Sequence, residues 1–170
     1  MRLVILGAGG YGRTVADVAR QSGRYAGICF LDDNVTDELV VGKCSDYINH
    51  ITPDTELYPA FGNNEGRIQW IERLEAAGAN IPTVIHATAY VSPEATVKKG
   101  TVVLPKAIIN TGVVIGHGCI INCGAIIDHG CVIEDGVHIC LGSIIKADNR
   151  IQKCVKVEAG VIIENRRYPV

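Results

Sequence analysis

The sequence predicts two unlike folds in series: an α/β, Rossmann-like half-domain over residues 1–82, then a left-handed parallel β-helix of hexapeptide repeats over residues 83–170. Two observations carry that reading. From Ile85 onward an Ile or Val returns every sixth residue, at 85, 91, 97, 103, 109, 115, 121, 127, 133, 139, 145, 151, 157 and 163, without insertion or deletion. Ahead of it, an aliphatic strand runs into Gly7-Ala-Gly-Gly-Tyr-Gly12 and then into an amphipathic helical stretch, the order of a βαβ unit.

In the first half, Arg2–Leu6 reads as a strand and residues 11–21 as a helix with Val15, Val18 and Ala19 inward, ended by Gly23. Residues 28–31 form a second strand closed by Asp32-Asp33. Residues 34–55 are less regular, with a short strand at 39–41 and a helix near 45–48. A further strand covers 57–61, followed by Gly62-Asn63-Asn64. The helix at 65–77 buries Ile68, Ile71 and Leu74 and stops at Gly78. Pro82 marks the passage into the repeats.

Four residues after each aliphatic position stands a compact side chain: Ala89, Ala95, Thr101, Ala107, Val113, Cys119, Ala125, Cys131, Val137, Ser143, Val155 and Val161, with Asn149 the lone departure. One residue earlier glycine recurs, at 100, 112, 118, 124, 130, 136, 142 and 160, which requires a turn with positive φ. Neither a helical nor a plain strand period generates this pattern. Short strands joined by tight corners do, with the aliphatic residues stacked inside a triangular prism and Cys119 and Cys131 among its core residues.

A formal net charge of −2 excludes the basic face of a nucleic-acid or anionic-membrane binder. No apolar run is long enough for membrane insertion, and the N-terminus lacks a signal-peptide pattern. The seven cysteines form no CxxC pair and are odd in number, so neither zinc nor a disulfide framework is expected, and a reduced cytoplasmic protein is.

The glycine turn aims backbone N–H groups and a helix N-terminus at an anion, a phosphate first of all. The half-domain lacks the second unit that a dinucleotide spans. Asp32 and Asp33 either accept hydrogen bonds from a ribose or base or belong to a solvated turn. Among the histidines, His86 opens the β-helix and reads as structural. His117 and His129 precede corner glycines twelve residues apart, so with about eighteen residues per coil they occupy different corners. His138 lies half a coil beyond His129 and faces away from it within one prism. The two share a site only if another copy brings its face alongside, which predicts a homotrimer with sites at subunit interfaces. His129 is the candidate base and Asp128 its nearest carboxylate, although side-chain alternation along a strand turns Asp128 the other way.

Gly7-Ala-Gly-Gly-Tyr-Gly12, Phe30-Leu-Asp-Asp33, Phe61-Gly-Asn-Asn-Glu-Gly-Arg67 and Gly124-Ala-Ile-Ile-Asp-His-Gly-Cys-Val-Ile133, followed by His138, resemble in order and spacing the bacterial sugar acetyltransferases of the sialic acid O-acetyltransferase and UDP-amino-sugar N-acetyltransferase family. The resemblance covers nearly the whole chain. It implies that Gly9, Gly10, Tyr11, Asp32, Asp33, Gly62 and Asn63 line the site of a nucleotide-sugar or sugar acceptor. It implies acetyl-CoA as co-substrate, without a metal, bound between the β-helices of a trimer. His129 is then the general base and His138 contacts the thioester region, with Gly142 and Ala147 joining it in the cofactor site. The expected reaction acetylates the amino group of a nucleotide-linked amino sugar by direct transfer. The alternatives are O-acetylation of a sialic-acid-like or polysaccharide hydroxyl, and a non-catalytic nucleotide-sugar-binding scaffold. The chain departs from the family pattern twice. Gly130 stands where an acidic residue often follows the base, and the repeat fades after Ile163 before any Gly-x-Pro-Ala tail, which implies a CoA site that is incomplete or built differently.

Overall fold

The computed structural model describes residues 1–170, which divide into two compact units, Met1–Pro82 and Thr83–Val170. In the first unit the order is β1 (Arg2–Leu6), α1 (Gly10–Gln21), β2 (Gly27–Leu31), β3 (Val40–Gly42), a 3₁₀ helix (Cys44–His50), β4 (Thr55–Pro59) and α2 (Asn64–Ala76). The four strands pair in parallel in the order β3-β2-β1-β4. Strand alternation sends Val4, Leu6, Leu31 and Leu57 into one cluster with Cys44 and with Leu74 of α2. Phe61 and Tyr47 extend that cluster over Trp70, one stacked and one edge-on, each with ring centroids 5.7 Å away.

Two local differences from the sequence expectation have physical causes. β4 starts at Thr55 and ends at Pro59, two residues earlier than the apolar run suggests. Glu56 sits in that strand because Arg24 and the Tyr25 hydroxyl hydrogen-bond its carboxylate, so a buried charge is tolerated where pattern reading anticipates a loop. Phe61 leaves the sheet to cover Trp70. The loosely assigned stretch resolves into β3 and the 3₁₀ helix, at nearly the positions expected.

The second unit is a left-handed parallel β-helix. Its strands are two residues long and stack into three sheets, which we number as faces. The first face holds Val84–Ile85, Val102–Val103, Ile120–Ile121, His138–Ile139 and Lys156–Val157. The second holds Tyr90–Val91, Ile108–Ile109, Ile126–Ile127, Ile144–Ile145 and Ile162–Ile163, and the third runs from Thr96–Val97 to Arg150–Ile151. Ile120 pairs with Val102 and His138, eighteen residues to either side, so one coil is eighteen residues. The second residue of each strand points inward, and Ile109, Ile115, Ile121, Ile127, Ile133, Ile139 and Ile145 are completely buried. Each contributes roughly 1.5–3 kcal/mol of apolar burial.

The compact slot fills the corners. Cys119 and Cys131 are buried thiols donating weakly to the Glu134 and Lys146 carbonyls. The Thr101 and Ser143 hydroxyls donate to Gly116 O and Glu158 O at 2.8 and 2.9 Å. Asn149, the departure, is fully buried and saturated. Its amide nitrogen donates to Lys146 O and Glu164 O, and its Oδ1 accepts from Tyr168 N. A polar side chain occupies the slot there because it ties down the segment after the last strand.

The turn glycines all have positive φ, and at four positions where the phase lacks glycine, Lys106, Asp148, Cys154 and Arg166, the backbone adopts the same conformation at φ of 52–61°. Stacking of successive coils therefore imposes the left-handed corner on residues that resist it, at about 1 kcal/mol each. Lys106 is exposed, and Lys106→Gly is expected to stabilise the protein by about 0.5–1 kcal/mol, raising the thermal midpoint by about 1–4 °C. Lys106→Ala, with the same φ to adopt, is the control that gains nothing in calorimetry.

Candidate functional site

In the first unit the chain leaves β1 towards β2 and β3 and then returns to the opposite side of β1 as β4, which makes the β1/β4 boundary the topological switch point where open α/β sheets bind ligands. Two turns flank it, residues 7–10 after β1 and residues 60–63 after β4. They lie against each other: Ala60 N donates to Leu6 O at 2.8 Å, and a side chain at Gly7 would meet Ala60 O. Gly12 allows α1 to close on the first turn, since a Cβ there would collide with the Gly7 carbonyl. Gly9 is the N-cap of α1 with no side-chain cap, and the N–H groups of Gly9 and Gly10 remain exposed and unpartnered.

The sequence treats Asp32 and Asp33 alike, and the structure separates them. Asp32 Oδ2 accepts from Ala8 N at 2.6 Å, and its Oδ1 accepts from Asn34 N and Val35 N. Burial pushes its pKa up, but those three N–H groups together outweigh burial and hold the carboxyl below its ordinary value. Asp32 is thus the tie between the glycine turn and the turn after β2. Asp33 is exposed and uses Oδ1 to accept from Cys44 N. Tyr11 stands edge-on to Tyr58, with their hydroxyls 2.7 Å apart. Arg13 closes the same region, lying over the Phe30 ring and reaching Ala8 O and Asp37. Asn63 is the N-cap of α2, accepting from Gly66 N at 2.7 Å, while Gly62 is exposed.

In the second unit His129 is exposed at the corner between the second and third faces. Asp128 meets the backbone N–H of His129, and no hydrogen bond joins its carboxylate to the ring. Strand geometry ends at Ile127, so alternation no longer applies, and Asp128 Oδ1 accepts from His129 N at 2.8 Å and from Asn110 Nδ2 at 3.1 Å. The His129 N–H is the main cause that lowers the Asp128 pKa, with Asn110 and the charge of His129 adding to it. An ionised carboxylate therefore stands beside this histidine. Gly130 has a φ of +68°, a conformation that strains any other residue, and a Cβ there would sit 2.5 Å from Asp148 Oδ1 of the next coil, so that side chain would have to shift.

His138 lies on the first face, away from His129. Asn122 Oδ1 accepts from Cys123 N, which leaves its amide nitrogen to donate to His138 Nε2 at 3.2 Å. That contact makes Nε2 the acceptor and assigns the ring proton to Nδ1. Gly142 sits at the corner between the first and second faces. Ala147 is buried one coil beyond His129 at the same corner. Sequence reading singled out neither Asn110 nor Asn122. Coil arithmetic finds the first, which stands one coil before Asp128.

A Rossmann-like α/β unit followed by a left-handed β-helix is the architecture of the hexapeptide-repeat acetyltransferases. The PglD N-terminal domain model matches residues 2–74. The chain is 34% identical to the acetyltransferase domain of PglB from Neisseria gonorrhoeae FA1090, with a TM-score of 0.94 over 97% of this chain and 83% of that one, and equally similar to the same domain in complex with acetyl coenzyme A. A variant of perosamine N-acetyltransferase from Caulobacter crescentus, in complex with CoA and GDP-perosamine, shares the fold at 22% identity, with a TM-score of 0.77 over 98% of this chain and 91% of that one. The UDP-N-acetylbacillosamine N-acetyltransferase of Bacillus subtilis (strain 168) is 32% identical over 111 residues, 60% of this chain, and the match spans half the length of that relative. This chain belongs to the bacterial sugar acetyltransferase family.

Asp128→Asn removes the carboxylate that accepts from His129 N and Asn110 Nδ2, and the His129 backbone amide resonance is expected to move in nitrogen–proton correlation spectra while the other amides of the β-helix stay in place. In Asn122→Ala the His138 ring should lose its single Nδ1–H tautomer, which long-range nitrogen–proton correlation spectra report directly.

Proposed function

We propose that this protein transfers an acetyl group from acetyl-CoA directly to the amino group of a nucleotide-linked amino sugar. The similarity over almost the whole chain to an acetyltransferase domain in complex with acetyl coenzyme A carries this reading. The names of the B. subtilis and C. crescentus relatives support an amino-sugar acceptor and a nucleotide on it. The first unit is the acceptor domain, with the turns around Gly9, Gly10 and Gly62 and the exposed carboxylate of Asp33 as its binding elements. Tyr11 and the Asn63 turn shape its walls.

In the reaction the acceptor amine attacks the thioester carbonyl and His129 takes the proton that the nitrogen loses. Asp128, ionised beside it, favours the imidazolium so formed. The tetrahedral oxyanion collapses with cleavage of the carbon–sulfur bond, and the proton held by His129 passes to the CoA thiolate. His138 has its Nε2 lone pair occupied by the Asn122 amide, which leaves Nδ1–H as a donor suited to a hydrogen bond near the thioester. Gly142 and Ala147 belong to the CoA surface. Cys119, Cys131 and Cys140 are buried, and burial raises the thiol pKa of Cys131 and Cys140, so none of these three carries a covalent acyl group in this scheme.

His129 and His138 lie on different sides of one prism, so the full site requires another copy, and we assign a homotrimer. The outward positions of the second face supply a surface for it: Tyr90, Ile108, Ile126, Ile144 and Ile162 form an apolar ladder, with the two end residues more than half exposed. No helix is long and apolar enough to cross a membrane. The seven free thiols and the use of acetyl-CoA support a cytoplasmic location.

Thiol release from acetyl-CoA, followed with a panel of nucleotide amino sugars, tests the activity. An amide product resists neutral hydroxylamine whereas an O-acetyl ester does not, and release with no amino sugar in the panel would overturn the reading. His129→Ala is expected to lose about 10²–10⁴ in turnover with unchanged acetyl-CoA binding. Ile126→Glu should give monomers in light scattering and abolish turnover together. A fully assembled variant would remove the ladder from the interface.

A further inference from the structure

Arg67 has no exposed surface and is the largest fully buried side chain of the protein. One terminal nitrogen donates to the Phe61 carbonyl and the other to Asn64 Oδ1, each at 2.8 Å. Burying a guanidinium forfeits hydration that such contacts only partly return, and a well-packed apolar residue avoids that penalty. What the arrangement secures is the peptide between Phe61 and Gly62. No peptide bond is cis, so the carbonyl and N–H of that peptide point in opposite directions. With the Phe61 oxygen drawn inward onto Arg67, the Gly62 N–H faces outward. Gly62 is exposed, has open space where a side chain would stand, and its N–H meets no acceptor within the chain. The neighbouring Asn63 side chain is occupied in capping α2. The turn itself lies against the glycine turn after β1 at the switch point.

We propose that Arg67 is a positioning residue of the acceptor site, holding the Gly62 N–H outward so that it donates to a phosphate oxygen of a nucleoside diphosphate. This rests on the assignment of the first unit as the acceptor domain. Charge buried under one turn thereby orients a neutral donor on the surface above it.

Calorimetric titration of the wild-type protein with UDP, GDP and dTDP comes first. If none binds, the acceptor assignment itself falls, whatever Arg67 does. With the tightest of the three, the Gly62 amide resonance should shift on titration of the wild type. Arg67→Lys keeps the charge but not the two-pronged fork, and is expected to weaken binding about tenfold, the weight of one hydrogen bond, and to abolish the Gly62 shift while acetyl-CoA affinity stays the same. Asn64→Ala, which removes the Asn64 Oδ1 acceptor and leaves Arg67 and its bond to the Phe61 carbonyl in place, should give a smaller loss of the same kind, and it decides the question if Arg67→Lys does not fold. Variants that melt earlier yet bind the diphosphate within twofold of wild type, with the Gly62 shift intact, would show a purely structural role and overturn the proposal.

Discussion

The β-helix depends on one interaction, the backbone ladder between coils. Val102 N donates to Cys119 O and Leu104 N to Ile121 O, and the pattern repeats up all three faces. Because every rung joins residues about one coil apart, a single inserted residue would displace every inward side chain beyond it to a corner or to solvent. The ladder also explains the strained corners. Lys106, Asp148, Cys154 and Arg166 hold positive φ because the coils on either side leave the backbone no other path. Local preference yields to register.

The same register builds the candidate catalytic corner. Asn110, Asp128 and the segment around Asp148 come from three successive coils, and stacking brings them to one edge of the prism. Asp128 is held by the Asn110 side chain from the coil before and by the backbone N–H of His129. The Asp148 carboxylate of the next coil lies over Gly130 and pairs with Arg166. On the first face, Asn122 and His138 meet by the same stacking, and the contact assigns the ring proton to one nitrogen.

The α/β unit organises its site differently, through polar groups that the fold consumes. Asp32, Asn63 and Arg67 spend their hydrogen bonds on the chain itself, fastening the turns after β1, β2 and β4. What they leave exposed is mainly backbone: the N–H groups of Gly9, Gly10 and Gly62, together with the Asp33 carboxylate. Rigid side chains beneath and unpartnered N–H groups above form a surface suited to a ligand rich in oxygen acceptors.

The sequence by itself determined the β-helix, its coil length and its core. Aliphatic and small residues at a six-residue period admit no other packing, and glycine marks most of the corners. It also determined the βαβ order of the first half and the residues that face its turns. Only the tertiary structure decided which polar residues serve the fold and which stay available. Asp32 and Asp33 are neighbours of identical chemistry, and the difference between them is set by Ala8, which lies 24 residues away in sequence. Asp128 caps the His129 backbone N–H just beyond the strand end at Ile127, a boundary that the aliphatic period does not mark. Hydrogen-bond partners distant in the chain decide such matters, and a periodic pattern records only which side chains are apolar.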